Sequence, residues 1–225
     1  TFVAENHIAG TNGTLSIDSA GAWTYAANSA FDNLNAGQSV SDTFTVASVD
    51  GTTTTVKVTI KGTNDAAILG TASVVLDETN APLSASGKLS ISDVDSPETF
   101  IAQQNAAGVY GALSIDTAGT WTYVSKDALD WISEGKSVTD SFTVASADGT
   151  TTTVLVTING TNDPAILVPV SVSLDETNEP LKPAGKLSIK DVDSPETFVA
   201  QSKVSGKNGS FSLETSGQWS YVANS

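Results

Sequence analysis

The sequence predicts an all-β protein, a tandem array of seven-stranded antiparallel β-sandwiches that repeats every 98 residues. Three observations carry this reading. The acidic octet Asp93-Val94-Asp95-Ser96-Pro97-Glu98-Thr99-Phe100 recurs unchanged from Asp191 to Phe198, 98 residues on. Trp23, Trp121 and Trp219 keep the same spacing in the settings AWTYAA, TWTYVS and QWSYVA, with no gap needed. Between these markers lie short runs of alternating apolar and polar residues punctuated by Gly, Asp and Asn, the pattern of half-buried strands joined by turns. A fixed period decides the architecture before any single residue does, and 98 residues is too long for a propeller blade of roughly 40 to 50.

The phase of the repeat divides the chain into the later part of a first unit (residues 1–65), a complete second unit (66–163) and the earlier part of a third (164–225), so the sequence predicts an excerpt from a longer array. In the complete unit, Ser73-Val74-Val75-Leu76 is a β-branched run ended by turn residues and reads as the first strand. Lys88-Leu89-Ser90-Ile91-Ser92 alternates and stops at the acidic loop, giving the second, and Thr99 to Gln103 gives the third. Residues 112–116 and 120–124 alternate on either side of Thr117-Ala118-Gly119, a hairpin whose Gly supplies the positive φ of the bend. Trp121 and Tyr123 share a face, which suits an aromatic pair filling the core. Asp127 to Ile132 resembles one helical turn crossing between sheets. Ser137 to Ala147 and Thr150 to Ile158 form the last hairpin around Asp148-Gly149, a strong two-residue turn signal.

The chain carries 25 Asp and Glu against 10 basic residues, all of them Lys, for a formal charge of −15. That balance argues against nucleic acid and anionic membrane surfaces as partners, since both attract clustered Lys and Arg. No apolar run is long enough to span a bilayer, and any targeting signal is expected to lie outside these residues. With no Cys, no Met and one His, softer metals lack their preferred ligands, whereas calcium takes oxygen donors. Strand direction, alternating along the unit, brings Asn64, Asp65, Asp93, Asp95 and Asp148 to one pole of the unit. Glu78 falls at the opposite pole, beside Asn162, Asp163, Asp191 and Asp193. Carboxylates gathered in this way repel unless a cation lies among them. These ten residues are the candidate calcium ligands, and calcium the predicted cofactor.

The acidic motifs also carry a family resemblance. They are Gly-Thr-Asn-Asp at 62–65 and 160–163, Asp-Glu at 77–78 and 175–176, Asp-Val-Asp at 93–95 and 191–193, and Ala-Asp-Gly at 147–149. On these the unit resembles the VCBS repeat of very large secreted bacterial proteins, over essentially the whole chain, and is cadherin-like (immunoglobulin-like in sandwich shape) in the order of its motifs. The resemblance implies calcium bound between successive domains, a stiffened stalk, and an extracellular place on the bacterial surface in an RTX or type I secreted adhesin or biofilm factor. Its partners would be the neighbouring repeats, with other cells, surfaces or polysaccharide engaged through regions outside these residues. Two alternatives stand beside this: a carbohydrate-binding sandwich, which needs Trp23, Trp121 and Trp131 facing solvent, and a fibre subunit forming a homopolymer through donated strands. Catalysis is not expected. His7 aligns with Asn105 and Lys203 and so lies outside the repeated design, and no nucleophile motif appears.

Overall fold

The structure is a computed structural model that describes residues 1–224. The first unit contributes β1 (Glu5–Ala9), β2 (Gly13–Ile17), β3 (Trp23–Ala27), β4 (Ser39–Ala47) and β5 (Thr53–Lys61). The central unit contributes β6 (Ile68–Leu69), β7 (Ala72–Asp77), β8 (Ser84–Lys88), β9 (Ile91–Ser92), β10 (Gln103–Ala107), β11 (Gly111–Ile115), β12 (Thr120–Ser125), β13 (Ser137–Ala145) and β14 (Thr151–Asn159). The third adds β15 (Ile166–Leu167), β16 (Ala184–Lys186), β17 (Ile189–Lys190), β18 (Gln201–Ser205), β19 (Gly209–Leu213) and β20 (Gln218–Ala223). Among the described residues there is no helix.

The central unit is a sandwich of a four-stranded sheet, β10-β11-β12-β8, and a three-stranded sheet, β13-β14-β7. Alternation along the strands decides what lies between them. Leu113 and Ile115 of β11 and Trp121 and Tyr123 of β12 turn inward to meet Phe142, Val144, Val154, Val156 and Ile158, and all nine are buried. Their polar neighbours in sequence face water, as period two requires. The β11–β12 hairpin runs in unbroken register from Gly111↔Ser125 to Ile115↔Trp121, closed by Gly119 at a φ of 82°. One pairing is parallel: β14 and β7 match from Val154↔Ala72 to Asn159↔Asp77.

A buried carboxylate organises one end of this core. Asp140 Oδ1 accepts from Val109 N (2.7 Å) while Oδ2 accepts from Tyr110 N (3.0 Å), Gly111 N (2.8 Å) and Tyr123 Oη (3.0 Å). Asp42, 98 residues earlier, does the same with Thr11 N, Asn12 N and Tyr25 Oη. A carboxylate with this many donors offsets the cost of its own burial.

Three elements differ from the sequence expectation. The alternating run 88–92 is where the chain changes sheets: β8 pairs with β12, whereas β9 pairs with β6. Residues 99–103 bridge the sheets instead of running within one. Phe100 N bonds Thr117 O (3.0 Å) on one side, and Ile101 N bonds Ala145 O (2.8 Å) on the other. The strand proper starts at Gln103 and carries a register shift before Ala106. Residues 127–132 are not helical. Asp127 Oδ1 accepts from Leu129 N (2.9 Å), Leu129 sits at a φ of 66°, and Leu129 and Ile132 are buried by a turn rather than a helix.

Candidate metal centres

Two acidic clusters form, one at each end of the central sandwich. The poles lie at the two ends of β14, whose nine residues at roughly 3.3 Å each separate them by about 30 Å.

At the first junction the linker after β5 meets the Asp-x-Asp loop and the β13–β14 turn. Asp65 N donates to Asp95 Oδ2 (3.3 Å), and Ser96 Oγ donates to Asn64 Oδ1 (3.2 Å). Asn64 Nδ2 (3.4 Å) and Ala67 N (3.1 Å) donate to Asp148 Oδ2. The loop is shaped by Asp93, whose Oδ1 accepts from Asp95 N (3.0 Å) and Ser96 N (2.7 Å) in an Asx turn. Asn64, Asp65, Asp93, Asp95 and Asp148 thus form one connected group. Asp95 is 6% exposed, and buried Asp93 Oδ2 and Asp95 Oδ1 have no donor. Burial, reinforced by Asp93 and Asp65, pushes the Asp95 carboxyl above its ordinary value. Asp148 is the contrary case. The Ser146 and Thr150 hydroxyls hold its carboxyl well below the usual range, and with the linker donors they occupy both its oxygens.

At the second junction Glu78, Asp130 and Asp163 each place a carboxylate oxygen within 4.8 Å of the others. Glu78 is fixed by Thr161 N, which donates to its Oε1 at 3.0 Å, and by the Thr161 hydroxyl. Its Oε2 is buried without a partner, as are Asp130 Oδ1, Asp163 Oδ2 and both carboxylate oxygens of Asp193. Asp191 Oδ1 accepts from Asp193 N (3.2 Å) and Ser194 N (2.8 Å), repeating the turn at Asp93. Burial raises the Asp163 carboxyl, and Glu78, Asp130, Asp193 and Asp191 raise it further. Burial and Asp191 likewise raise Asp193, whereas the amide donors on Asp191 overcome its burial and hold it below the ordinary value. Asn162 turns its Nδ2 to Asp163 O (3.2 Å), as Asn64 does to Asp65 O (3.0 Å). The donor set is all oxygen, short of N–H partners and rich in charge. It fits a hard divalent cation and leaves buried anions facing each other without one.

Asp130 is the residue that sequence reasoning missed. A signal existed, because Asp32 stands 98 residues before it. The tryptophans divide. Trp121 is core at 4% exposure, whereas Trp23 and Trp131 are each 51% exposed, Trp131 lying 6.1 Å from Tyr110. Among the described residues, no helix is long and apolar enough to cross a membrane.

Residues 64–160 match the family model of the bacterial cadherin-like domain. No curated protein sequence matches the chain. Similar solved structures include PcdhgB3 EC1-4 (TM-score 0.48, 13% identity) and the protocadherin gamma B7 extracellular cadherin domains 1-4 (TM-score 0.44, 15% identity), each aligned over 100% of this chain and 58% of that one. The human desmocollin-1 ectodomain aligns at a TM-score of 0.34 and 12% identity, over 100% of this chain and 45% of its own. The chain therefore spans a little over half the length of the first two.

Proposed function

We propose that the chain is a calcium-stiffened extender: consecutive bacterial cadherin-like sandwiches, divided at residues 65/66 and 163/164, whose junctions each take calcium in the extracellular stalk of a bacterial surface adhesin. The carrying observation is the set of buried carboxylate oxygens without donors at both junctions. At the first, Asp65, Asp93 and Asp95 would hold the ion, with Asn64 beside them and Asp148 bracing the linker. At the second, Glu78, Asp130, Asp163, Asp191 and Asp193 would hold it, with Asn162 in the linker. Bound calcium supplies charge neutralisation and a cross-link between units. The protein's own residues do the rest. Asp93 and Asp191 shape their loops through the backbone, Thr161 aims Glu78, and the linker amides of Asp65 and Ala67 tie adjoining segments together. Repetition agrees with this role, because near-identical copies supply length rather than a unique site.

The test is thermal unfolding and solution scattering of the chain in excess calcium and in calcium-free buffer, on the wild type, the pair Asp93→Ala/Asp95→Ala and Asp130→Asn. Calcium should raise the melting temperature and lengthen the wild-type particle. The paired variant should lose calcium response at the first junction and Asp130→Asn at the second, with each sandwich core intact. A wild type indifferent to calcium in both measurements sinks the reading.

A further inference from the structure

We propose that Asn35 and Ser133 are positioning residues: each reaches across a junction and fixes the Asp-x-Asp loop of the next repeat through its backbone, setting the candidate metal centre without touching the ion. Asn35 Nδ2 donates to the carbonyl of Asp95, and Ser133 Oγ donates to the carbonyl of Asp193. Each bond spans 60 residues and joins one unit to the following one. Donor and acceptor both shift by 98 residues between the two instances, so the contact belongs to the repeat. The side chains differ, an amide in one and a hydroxyl in the other, and what they share is a donor of the right reach.

The loop that carries this donor is clamped in its own unit. Gln38 N bonds Asn35 O (2.9 Å) and Gly62 N bonds Gln38 O (2.9 Å). The second copy repeats this with Lys136 N to Ser133 O (3.0 Å) and Gly160 N to Lys136 O (2.9 Å). A Cβ at Gly62 would collide with the carbonyls of Leu34 and Asn35, and one at Gly160 with those of Ile132 and Ser133. The loop therefore lies flat against the start of the linker, and its donor projects from a fixed base. The receiving loop is shaped by its own Asx turn, is tied to the linker at the first junction through Asp65 N and Asn64 Oδ1, and carries the buried oxygens that lack donors. A bond to the Asp95 or Asp193 carbonyl removes backbone freedom at the residue whose carboxylate must be placed. The effect on metal affinity rests on the calcium reading above, whereas the restraint on the loop does not.

The experiment compares Asn35→Ala/Ser133→Ala with the exchanged pair Asn35→Ser/Ser133→Asn in the whole chain. Calcium affinity is read by calorimetry, and hydrogen exchange at Asp95, Ser96, Asp193 and Ser194 is read in calcium-free buffer. Loss of one hydrogen bond per junction should weaken calcium binding about three- to tenfold and speed exchange at these amides by a similar factor. The exchanged pair should keep both near wild type, because it keeps a donor at each position. An alanine pair that binds and exchanges like the wild type overturns the proposal, as does an exchanged pair as impaired as the alanine pair. Should the wild type take up no calcium, the calcium reading fails by itself and amide exchange alone decides whether Asn35 and Ser133 restrain the loop.

Discussion

Two kinds of buried aspartate separate at the level of single residues. Asp140 sits under a sheet with its oxygens occupied by three amides and a phenol, and its charge is resolved within the protein. Asp95 and Asp193 are buried to a similar degree, yet retain oxygens that nothing donates to. The first kind holds a fold, and the second is the kind on which the calcium proposal rests. Asp140→Ala leaves several buried donors unpaired and should destabilise the central unit by about 3 kcal/mol in thermal or urea unfolding, with no change in calcium response. A variant of wild-type stability would show that water replaces the carboxylate there.

Among the elements, the β11–β12 hairpin is the piece that sequence describes best. Its alternation, its Gly119 turn and the inward face shared by Trp121 and Tyr123 are all local, and the structure keeps each of them. Trp121→Ala should therefore cost about 3 to 5 kcal/mol by cavity formation, and a stable variant would remove Trp121 from the core. Elements that answer to distant partners were harder to read. Residues 99–103 look like a strand because Thr, Phe and Ile favour one, but Phe100 is drawn into the core while flanking amides bond opposite sheets. Residues 127–132 space Leu129 and Ile132 as a helix would, yet the Asp127 side chain competes for the backbone and turns Leu129 to positive φ. That misreading hid Asp130, since a helix gives its side chain no reason to reach the linker. Poles could be followed from strand direction alone, whereas donors such as Ser133 belong to loop paths that no periodicity encodes.

For the molecule as a whole, the junction acids set a pH dependence with a defined sign. Asp95, Asp163 and Asp193 have folded pKa values raised above those of the unfolded chain. Between the two values the folded protein binds more protons, so stability falls as pH rises from the ordinary carboxylate value through the raised ones. Asp148 and Asp42 lie below the ordinary value, and their contribution is lost only as pH falls beneath it. Calcium-free protein should thus melt higher near pH 4 to 5 than at pH 7, and saturating calcium should reverse the order because the bound ion requires ionised ligands. A calcium-free melting temperature that is flat or rising over that range would contradict the burial of these acids. The parallel pairing of β7 with β14 bears on how such an array answers tension. Pulling on the chain draws β7 from its leading end and β14 from its trailing end in opposite directions, so the two neighbours slide past each other. Six rungs, Val154↔Ala72 through Asn159↔Asp77, must then give way together in shear instead of peeling one at a time, which is how a unit of this size can withstand drag without unravelling.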